Sequence, residues 1–238
     1  WVEQLVVESA TESGERQRVA TRLVQAQLDT LRLQLSPHFL FNALNSAMAL
    51  IGADARAAER MLAAISDFLR MVLHSSKEPQ LTVERELALL GHYLEIQRAR
   101  FGDKLVVTFD VDESLSTALV PSLLLQPLVE NSIRHGISNR ASGGRINVAI
   151  TAINDLMHID IVDDGIGPSA KRSRDRQRGT GLGLANTATR LNHLYGQNHS
   201  FETGPGKAGG FTVHLSLPIS FAERSQSEPL PELAGAGS

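Results

Sequence analysis

The sequence predicts an α+β fold, in which an N-terminal helical hairpin is followed by an α/β sandwich with a mixed sheet. Residues 15–75 show helical apolar spacing that only Pro37 and Gly52 interrupt. Beyond residue 104, short β-rich runs alternate with two further helical stretches. With 238 residues, of which 42% are hydrophobic, the chain is long enough for one large or two modest cores.

The composition excludes several classes of protein. The formal net charge of -3 leaves no overall basic field, so we expect no direct binding to nucleic acid. The absence of cysteine excludes disulfides, thiolate metal sites and a cysteine nucleophile. No apolar run approaches the roughly 18 residues that span a bilayer. Because residue 1 is Trp rather than Met, we expect a preceding N-terminal region, and any membrane attachment through that region only.

The predicted hairpin carries unusually wide apolar faces. The first helix has a heptad seam, formed by Val19, Leu23, Ala26, Thr30, Leu33, Pro37, Leu40, Leu44, Ala47 and Ile51, and a second stripe, formed by Val24, Leu28, Leu31 and Leu35. A turn at residues 52–54, with Asp54 as N-cap, leads to a helix whose seam is Ala58, Met61, Ile65, Phe68 and Val72. Two helices cannot bury these faces, so we predict a homodimer in which two hairpins form a four-helix bundle.

After the hairpin, we expect a linker at residues 75–80 and an amphipathic helix at 81–101. The other predicted elements are a strand at 104–111, a helix at 120–137, strands at 145–153 and 156–162 joined by a turn at 154–155, a helix at 181–195, and strands at 200–203 and 210–217. The chain is therefore expected to divide into a coiled-coil lead-in and hairpin over 1–76, an α/β domain over 77–219, and a disordered tail over 220–238.

The first segment with candidate chemistry is Asp163-Asp164-Gly165-Ile166-Gly167, directly after a predicted strand. Gly165 and Gly167 let the backbone turn sharply and approach a flat ligand closely. The Asp163 carboxylate can accept a hydrogen bond from an amino group, and adenine offers such a group. Taken alone, the pentapeptide would serve a simple strand-to-loop turn equally well.

The second segment, residues 179–184 with the sequence GTGLGL, ends a polar loop and opens a helix. N–H groups at a helix start suit phosphate oxygens because the helix dipole is positive there. A Rossmann unit is not indicated, because no parallel strand directly precedes the glycines and no acid follows at the expected spacing. The preceding loop is either a solvated loop or a mobile lid over a polyphosphate. Its charged residues are Lys171, Arg172, Arg174, Arg176 and Arg178, against Asp175.

The third segment is Glu130-Asn131-Ser132-Ile133-Arg134-His135-Gly136, at the end of a predicted apolar helix. Asn131 presents a neutral oxygen that suits a hard divalent cation. His135, four residues later, shares its helical face, and Arg134 lies beside it, so both can meet phosphates. Each residue alone is more commonly an ordinary surface residue, but their combination favours a binding site.

In order and spacing, the three segments resemble the N, G1 and G2 boxes of the ATPase superfamily shared by DNA gyrase, the heat-shock chaperones, histidine kinases and MutL. The resemblance covers about residues 105–217 and implies a Bergerat-type α/β sandwich that binds ATP and Mg²⁺. It implies Asn131 on the metal, Arg134 and His135 near the phosphates, and Asp163 on the adenine amino group. It also implies a pocket and lid shaped by Gly165, Gly167, Gly179, Thr180, Gly181, Leu182 and Gly183. The role of Glu130, next to the metal position, stays open.

Residues 35–45, with the sequence LSPHFLFNALN, resemble the phosphoacceptor segment of the LytS-like sensor histidine kinases. Residues 93–97 and 100–101 also resemble that family, so the likeness runs from about residue 28 to residue 217. It implies an ATP-dependent histidine kinase of a two-component system, which phosphorylates His38 and passes the phosphoryl group to an aspartate of a response regulator. It also implies N-terminal membrane helices outside this chain, so we expect these residues on the cytoplasmic side.

The chemistry of His38 agrees with a role as acceptor. A neutral imidazole is a good nucleophile, and its reference pKa of about 6.5 leaves it largely uncharged near pH 7. Pro37 weakens the helix beside it and exposes the imidazole, although a histidine at the edge of a bundle would be the ordinary interpretation. Phe39 stands where commoner histidine kinases have an acid, so no general base is assigned. We expect Asn42, one turn later, to position the imidazole or, in the reverse reaction, a water.

Two other functions fit part of the pattern. A dimeric ATP-binding interaction module would change shape with ATP without autokinase activity, and its output would need Asn131 but not His38. An ATPase of the gyrase or MutL type would leave residues 37–45 without a role.

Overall fold

The computed structural model describes the chain from the first helix of the hairpin to the end of the sheet. The described residues are 37–75, 77–138, 140–167, 182–206 and 209–222, without the side chains of Pro37, His38 and Leu182. Several predicted features lie outside them: the coiled-coil lead-in, the basic loop residues 171–178, Gly179, Thr180 and Gly181, and the tail beyond residue 222.

The hairpin consists of α1 (Pro37–Ile51) and α2 (Ala55–Ser75), which pack against each other. The predicted cap is confirmed, because Asp54 Oδ1 accepts a hydrogen bond from the Ala57 N–H at 2.9 Å. The predicted seam of α2 is also confirmed, since all five of its residues are buried within this chain.

The predicted seam of α1 is divided between two faces. Ala47 is buried in this chain, whereas Leu44 and Ile51 are 43% and 59% exposed. The buried face of α1 is formed by Phe39, Ala43 and Ala47, at steps of four residues. An apolar face is therefore left on the outside of the hairpin.

The helix predicted at 81–101 begins two residues later, as α3 (Val83–Phe101). The preceding residues form β1 (Gln80–Thr82), which pairs antiparallel with β3 (Leu119–Pro121) in a two-stranded sheet. Thr82 caps α3 by accepting a hydrogen bond from the Arg85 N–H at 3.3 Å.

Three aromatic rings join the hairpin to α3. The centroid of the Phe39 ring is 4.8 Å from that of Tyr93 and 5.6 Å from that of Phe68, and the Phe68 and Tyr93 centroids are 6.2 Å apart. One apolar core therefore continues from the hairpin into the rest of the chain. The division of the chain at residues 76 and 77 stays a prediction.

The main sheet has five strands in the order β2-β4-β5-β7-β6. Only β2 and β4 pair in parallel, so the predicted mixed sheet is confirmed. The predicted turn between β4 and β5 is confirmed as well, with Asn154 in the left-handed region at φ 56°. The strands are β2 (Leu105–Val111), β4 (Gly144–Ile153), β5 (Leu156–Asp163), β6 (Ser200–Pro205) and β7 (Phe211–Pro218).

Helices α3, α4 (Leu125–Ser132) and α5 (Leu182–Tyr195) contribute to the same apolar core as one face of the sheet. Alternate strand residues such as Ile146, Val148 and Ile150 are fully buried on that face. The helix predicted at 120–137 is wrong at its start, because residues 119–121 form β3 and the helix begins only at Leu125. Among the described helices, none combines the length and apolarity that a membrane crossing requires.

Candidate functional site

Asp163 lies at the end of β5 and is 1% exposed. Its Oδ1 accepts hydrogen bonds from the N–H of Gly165 at 2.9 Å and from the N–H of Phe211 at 3.2 Å. Its Oδ2 is buried and has no hydrogen-bond partner among the described residues. A buried acceptor without a donor is costly unless a ligand supplies one, so Oδ2 is suited to a donor such as an amino group.

Glycines surround this carboxyl because no larger residue fits. A Cβ atom on Gly136 would lie 2.6 Å from Asp163 Oδ1, and one on Gly165 would lie 2.3 Å from Gly136 Cα. A Cβ atom on Gly210 would lie 1.8 Å from the Asp163 carbonyl oxygen, and Gly210 has φ 75°. The segment before β7 is thus packed directly on the end of β5. The part played by Gly210 was missed in the sequence, where its only signal is a glycine pair that precedes a strand.

Burial raises the pKa of Asp163 above its ordinary value, and the nearby Asp164 carboxylate acts in the same direction. The Gly165 N–H, the nearby Ser132 hydroxyl and the Phe211 N–H oppose this shift by stabilising the charged form. Asp164 is hydrogen-bonded to the start of β4, because its Oδ1 accepts a hydrogen bond from the Arg145 N–H at 2.8 Å. The same oxygen accepts a hydrogen bond from Arg140 Nη1 at 3.3 Å.

Gly167 and Gly183, the remaining predicted glycines among the described residues, differ in how closely they are packed. Gly167 has φ 68° and closes the turn after Asp163, where a Cβ atom would lie 2.8 Å from the Gly210 carbonyl oxygen. Gly183 is exposed in the first turn of α5. A Cβ atom on Gly183 would lie 3.9 Å from Pro127 Cβ, which is an ordinary contact. The predicted roles of Thr180 and Gly181, and of the Leu182 side chain, fall outside the described residues.

Asn131, Arg134 and His135 are half-buried, with Asn131 in the last turn of α4 and the other two just beyond it. The chain continues beyond α4 as a π-helical segment, Ile133–Ile137, in which the Ser138 N–H donates to the Ile133 carbonyl at 2.8 Å. This wider turn is typical of functional sites and corrects the prediction of one regular helix through these residues.

A cavity of about 350 Å³ lies where α1, α3 and the end of α4 meet. It brings together Asn42 and two of the residues predicted to meet phosphates, Arg134 and His135. The predicted acceptor, His38, is in the same helix one turn before Asn42, although its side chain lies outside the described residues. The complete lining is Phe39, Asn42, Tyr93, Gln97, Arg100, Glu130, Ile133, Arg134, His135 and Ser138.

Glu130, whose role the sequence left open, lines this cavity together with Tyr93. Burial raises the pKa of Tyr93 well above its ordinary value, and the negative charge of Glu130 adds to this shift. The Tyr93 hydroxyl accepts a hydrogen bond from Gln97 Nε2 at 2.8 Å. Tyr93 therefore stays neutral and contacts the hairpin on one side and the cavity on the other.

Comparisons with known proteins show the family of this chain. A family model described as histidine kinase matches residues 26–105, and one described as histidine kinase-, DNA gyrase B-, and HSP90-like ATPase matches residues 119–220. The sensor protein LytS of Enterococcus faecalis (strain ATCC 700802 / V583) is 32% identical over 225 residues, which make up 92% of this chain and 38% of that protein. The chain belongs to the LytS-like sensor histidine kinases. The family resemblance and the α+β Bergerat fold predicted from the sequence are thereby confirmed.

A second relative of this chain is the sensor histidine kinase/phosphatase LytS of Staphylococcus aureus (strain MRSA252), which is 31% identical over 232 residues, or 94% of this chain and 39% of that protein. The kinase chain thus spans less than half the length of the curated relatives it matches. The solved histidine kinase domain of the Erythrobacter litoralis EL346 blue-light activated histidine kinase is similar at 16% identity and a TM-score of 0.46, covering 84% of this chain and 94% of that chain.

The residues around Asp163 lie within the range that the ATPase family model matches. The acceptor oxygen Oδ2 has no donor within hydrogen-bond geometry among the described residues, and the glycines let the backbone pack closely around this carboxyl. The unpaired Oδ2 is chemically suited to a group that donates a hydrogen bond, such as the amino group of adenine.

Proposed function

We propose that this chain is the kinase region of a two-component sensor, in which ATP phosphorylates His38 and the phosphoryl group then passes to an aspartate of a response regulator. The observation that carries the proposal is the shared cavity. It places the helix of His38 against Arg134 and His135, at the end of the helix that carries Asn131. Phosphoryl transfer depends mainly on positioning and charge stabilisation, which this arrangement supplies.

The base and phosphates would be held by residues from different elements. Asp163 Oδ2, which has no partner within hydrogen-bond geometry among the described residues, would accept a hydrogen bond from the adenine amino group. Arg134 and His135 contact the phosphates from the cavity side. Asn131 supplies an amide oxygen to Mg²⁺, which neutralises charge on the phosphate oxygens when it is bound. Among the described residues, no group of three or more His, Cys, Asp or Glu side chains forms a metal site of its own.

The transfer step uses one imidazole nitrogen of His38 as the nucleophile. That nitrogen attacks the γ-phosphorus, the bond from the γ-phosphorus to the β,γ-bridging oxygen breaks, and ADP leaves with the electron pair. The proton on the other ring nitrogen passes to solvent. In the second step, a carboxylate oxygen of the response regulator attacks the same phosphorus, the N–P bond to His38 breaks, and the imidazole regains a proton from solvent.

The outer apolar face of α1 suits pairing with a second copy of the chain. It consists of Phe41, Leu44, Met48 and Ile51, whose exposures are 68%, 43%, 60% and 59% and whose spacing is heptad-like. We propose that this face forms the four-helix bundle of a homodimer. We also propose that a region N-terminal to these residues attaches the dimer to a membrane, with the kinase on its cytoplasmic side.

Asn42 is proposed to position the imidazole of His38 or, in the reverse reaction, an attacking water. Asn42→Ala should lower autophosphorylation or phosphatase activity by about tenfold, because a misplaced nucleophile loses its near-attack geometry. Asn45→Ala, an exposed amide on the same helix, is the matched control. Equal rates in both variants for both activities would exclude this role.

The function is tested by incubating the chain with Mg²⁺ and γ-labelled ATP. We expect acid-labile, alkali-stable label on the wild type and none on His38→Gln. His74→Gln, an exposed histidine of the same hairpin, should be labelled normally. Label that persists in His38→Gln would refute His38 as acceptor, and binding of ATP without any label would instead favour an interaction module without autokinase activity.

A further inference from the structure

A buried carboxylate, Glu86, holds the start of the helix that carries Asn131. Glu86 lies in the first turn of α3 and is 1% exposed. Its Oε1 accepts a hydrogen bond from the Leu123 N–H, and its Oε2 accepts from the N–H of Leu124 at 2.9 Å and of Leu125 at 3.2 Å. One side chain thus satisfies three consecutive N–H groups at the N-terminus of α4, where a negative charge is favourable.

A cation from another helix holds the other side of the same turn. Arg190 of α5 donates through Nη1 to the Ser122 carbonyl and through Nη2 to the Leu123 carbonyl, the latter at 3.1 Å. Burial raises the pKa of Glu86, whereas the three N–H groups and the positive charge of Arg190 oppose this shift. The negative charge of Glu86 and the positive charge of Arg190 stabilise each other. Each side chain also satisfies the backbone groups that it contacts in this turn.

The backbone of this turn adopts a conformation that needs such support. Leu123 has φ 55°, in the left-handed region that a leucine side chain rarely adopts. Its N–H is bound by Glu86 and its C=O by Arg190, so two charged side chains from two different helices determine its geometry. Sequence reasoning did not single out either residue, because Glu86 is 37 positions and Arg190 is 67 positions from Leu123.

The two contacts join three helices that meet at the proposed site. Helix α3 contacts the hairpin through Tyr93, α4 carries Asn131 in its last turn, and α5 begins at Leu182 within the predicted glycine segment. We propose that Glu86 and Arg190 are positioning residues that fix α4 between α3 and α5, and thereby place the Asn131 amide for Mg²⁺-bound ATP. This inference rests on the proposed function, in which Asn131 is the metal ligand.

The test measures binding of ATP by calorimetry, with Mg²⁺ and separately with EDTA, and needs no phosphorylation. In Glu86→Gln, one carboxylate oxygen becomes an amide N–H₂ group. This group cannot accept hydrogen bonds from the backbone N–H groups of residues 123–125. We expect the affinity gain that Mg²⁺ provides to fall by about tenfold, the lower range for losing a residue that orients a metal ligand. The affinity for ATP in EDTA should stay within about twofold, because Asp163 and the two N–H groups on its Oδ1 belong to the sheet and the turn after it, not to α4.

Arg190→Lys is the second variant, because lysine keeps the charge but loses the planar fork that binds two carbonyls. It should show the same selective loss, which keeps the test available if Glu86→Gln does not fold. The matched control is Met157→Ala, a fully buried residue of β5 near the turn to β4, which should lower stability without altering the Mg²⁺ gain.

The outcomes separate this inference from the proposed function. A normal Mg²⁺ gain in Glu86→Gln and Arg190→Lys, with the gain abolished in Asn131→Ala, would overturn the positioning role and leave the kinase function intact. If ATP affinity fell equally with Mg²⁺ and with EDTA, Glu86 and Arg190 would have a structural role only, and the positioning role would also be overturned. A selective loss of the Mg²⁺ gain would support it whether or not His38 becomes labelled.

Discussion

The adenine end and the transfer end of the proposed site are built in different ways. At the adenine end, Asp163, Gly165 and Gly210 lie at one end of the sheet, and Gly136 of the segment after α4 packs on the Asp163 carboxyl. At the transfer end, the cavity exists only because three helices from distant parts of the chain pack together. Binding of the base should therefore depend on local geometry, whereas transfer should depend on how the hairpin is docked.

The largest effect is expected from Asp163→Asn. The amide would place an N–H₂ group against the amino group of adenine, so ATP affinity should fall on the order of 100-fold, as expected for losing a hydrogen bond to a charged group. Calorimetric titration with ATP checks this. Asp160→Asn, on the partly exposed side of the same strand, should bind ATP normally. Binding within a few-fold of the wild type would show that the base is not held at Asp163.

A smaller loss is expected from Gly136→Ala, where the new Cβ atom would lie 2.6 Å from Asp163 Oδ1. Overpacking of this kind costs about 1–3 kcal/mol, and we expect ATP affinity to fall by about tenfold as the carboxyl shifts. The matched control is Gly91→Ala in α3, where a Cβ atom meets nothing within 4 Å. The control should raise the melting temperature, because alanine stabilises a helix interior by about 1 kcal/mol relative to glycine.

Phe39→Leu separates the two ends of the site. It removes the ring that packs at 4.8 Å on Tyr93 but leaves the Asp163 pocket untouched. We expect autophosphorylation to slow by about tenfold with ATP affinity changed by less than about twofold, because only the placement of α1 is altered. The rate and the affinity are measured on the same preparation, with Phe201→Leu in β6 as control. A parallel fall in affinity would mean that hairpin docking also shapes the base pocket.

The same contrast explains how much of the molecule the sequence could predict. Asp163, Gly165 and Gly167 were found because they are neighbours in the chain, and the buried seam of α2 was found because its period is regular. Their predicted roles in binding stay predictions. The start of α4 was misplaced because the apolar run at residues 119–125 suits a strand or a helix equally well, and its break at Leu123 is stabilised only by distant charges. The heptad pattern of α1 likewise does not reveal which apolar stripe faces its own chain and which faces outward.

The smallest effect concerns stability rather than binding, and follows from the raised pKa of Asp163. Because burial raises this pKa in the folded state, the folded chain holds the proton more tightly than the unfolded chain. The resulting stabilisation is fully present below the ordinary pKa of 3.8 and is lost as the pH rises through the folded-state pKa. Asp163→Asn lacks this titration but keeps an oxygen for the Gly165 and Phe211 N–H groups.

The melting temperature of Asp163→Asn minus that of the wild type should therefore increase with pH from the acidic side upward, without nucleotide present. Other titrating groups, including the buried Glu86, are common to both chains and cancel in the difference. Thermal unfolding between about pH 3 and pH 8 checks this, within the range in which carboxylates titrate. A difference in melting temperature that is flat or decreases with pH would contradict the prediction. It would show that the hydrogen bonds to the Asp163 carboxylate lower its pKa by at least as much as burial raises it.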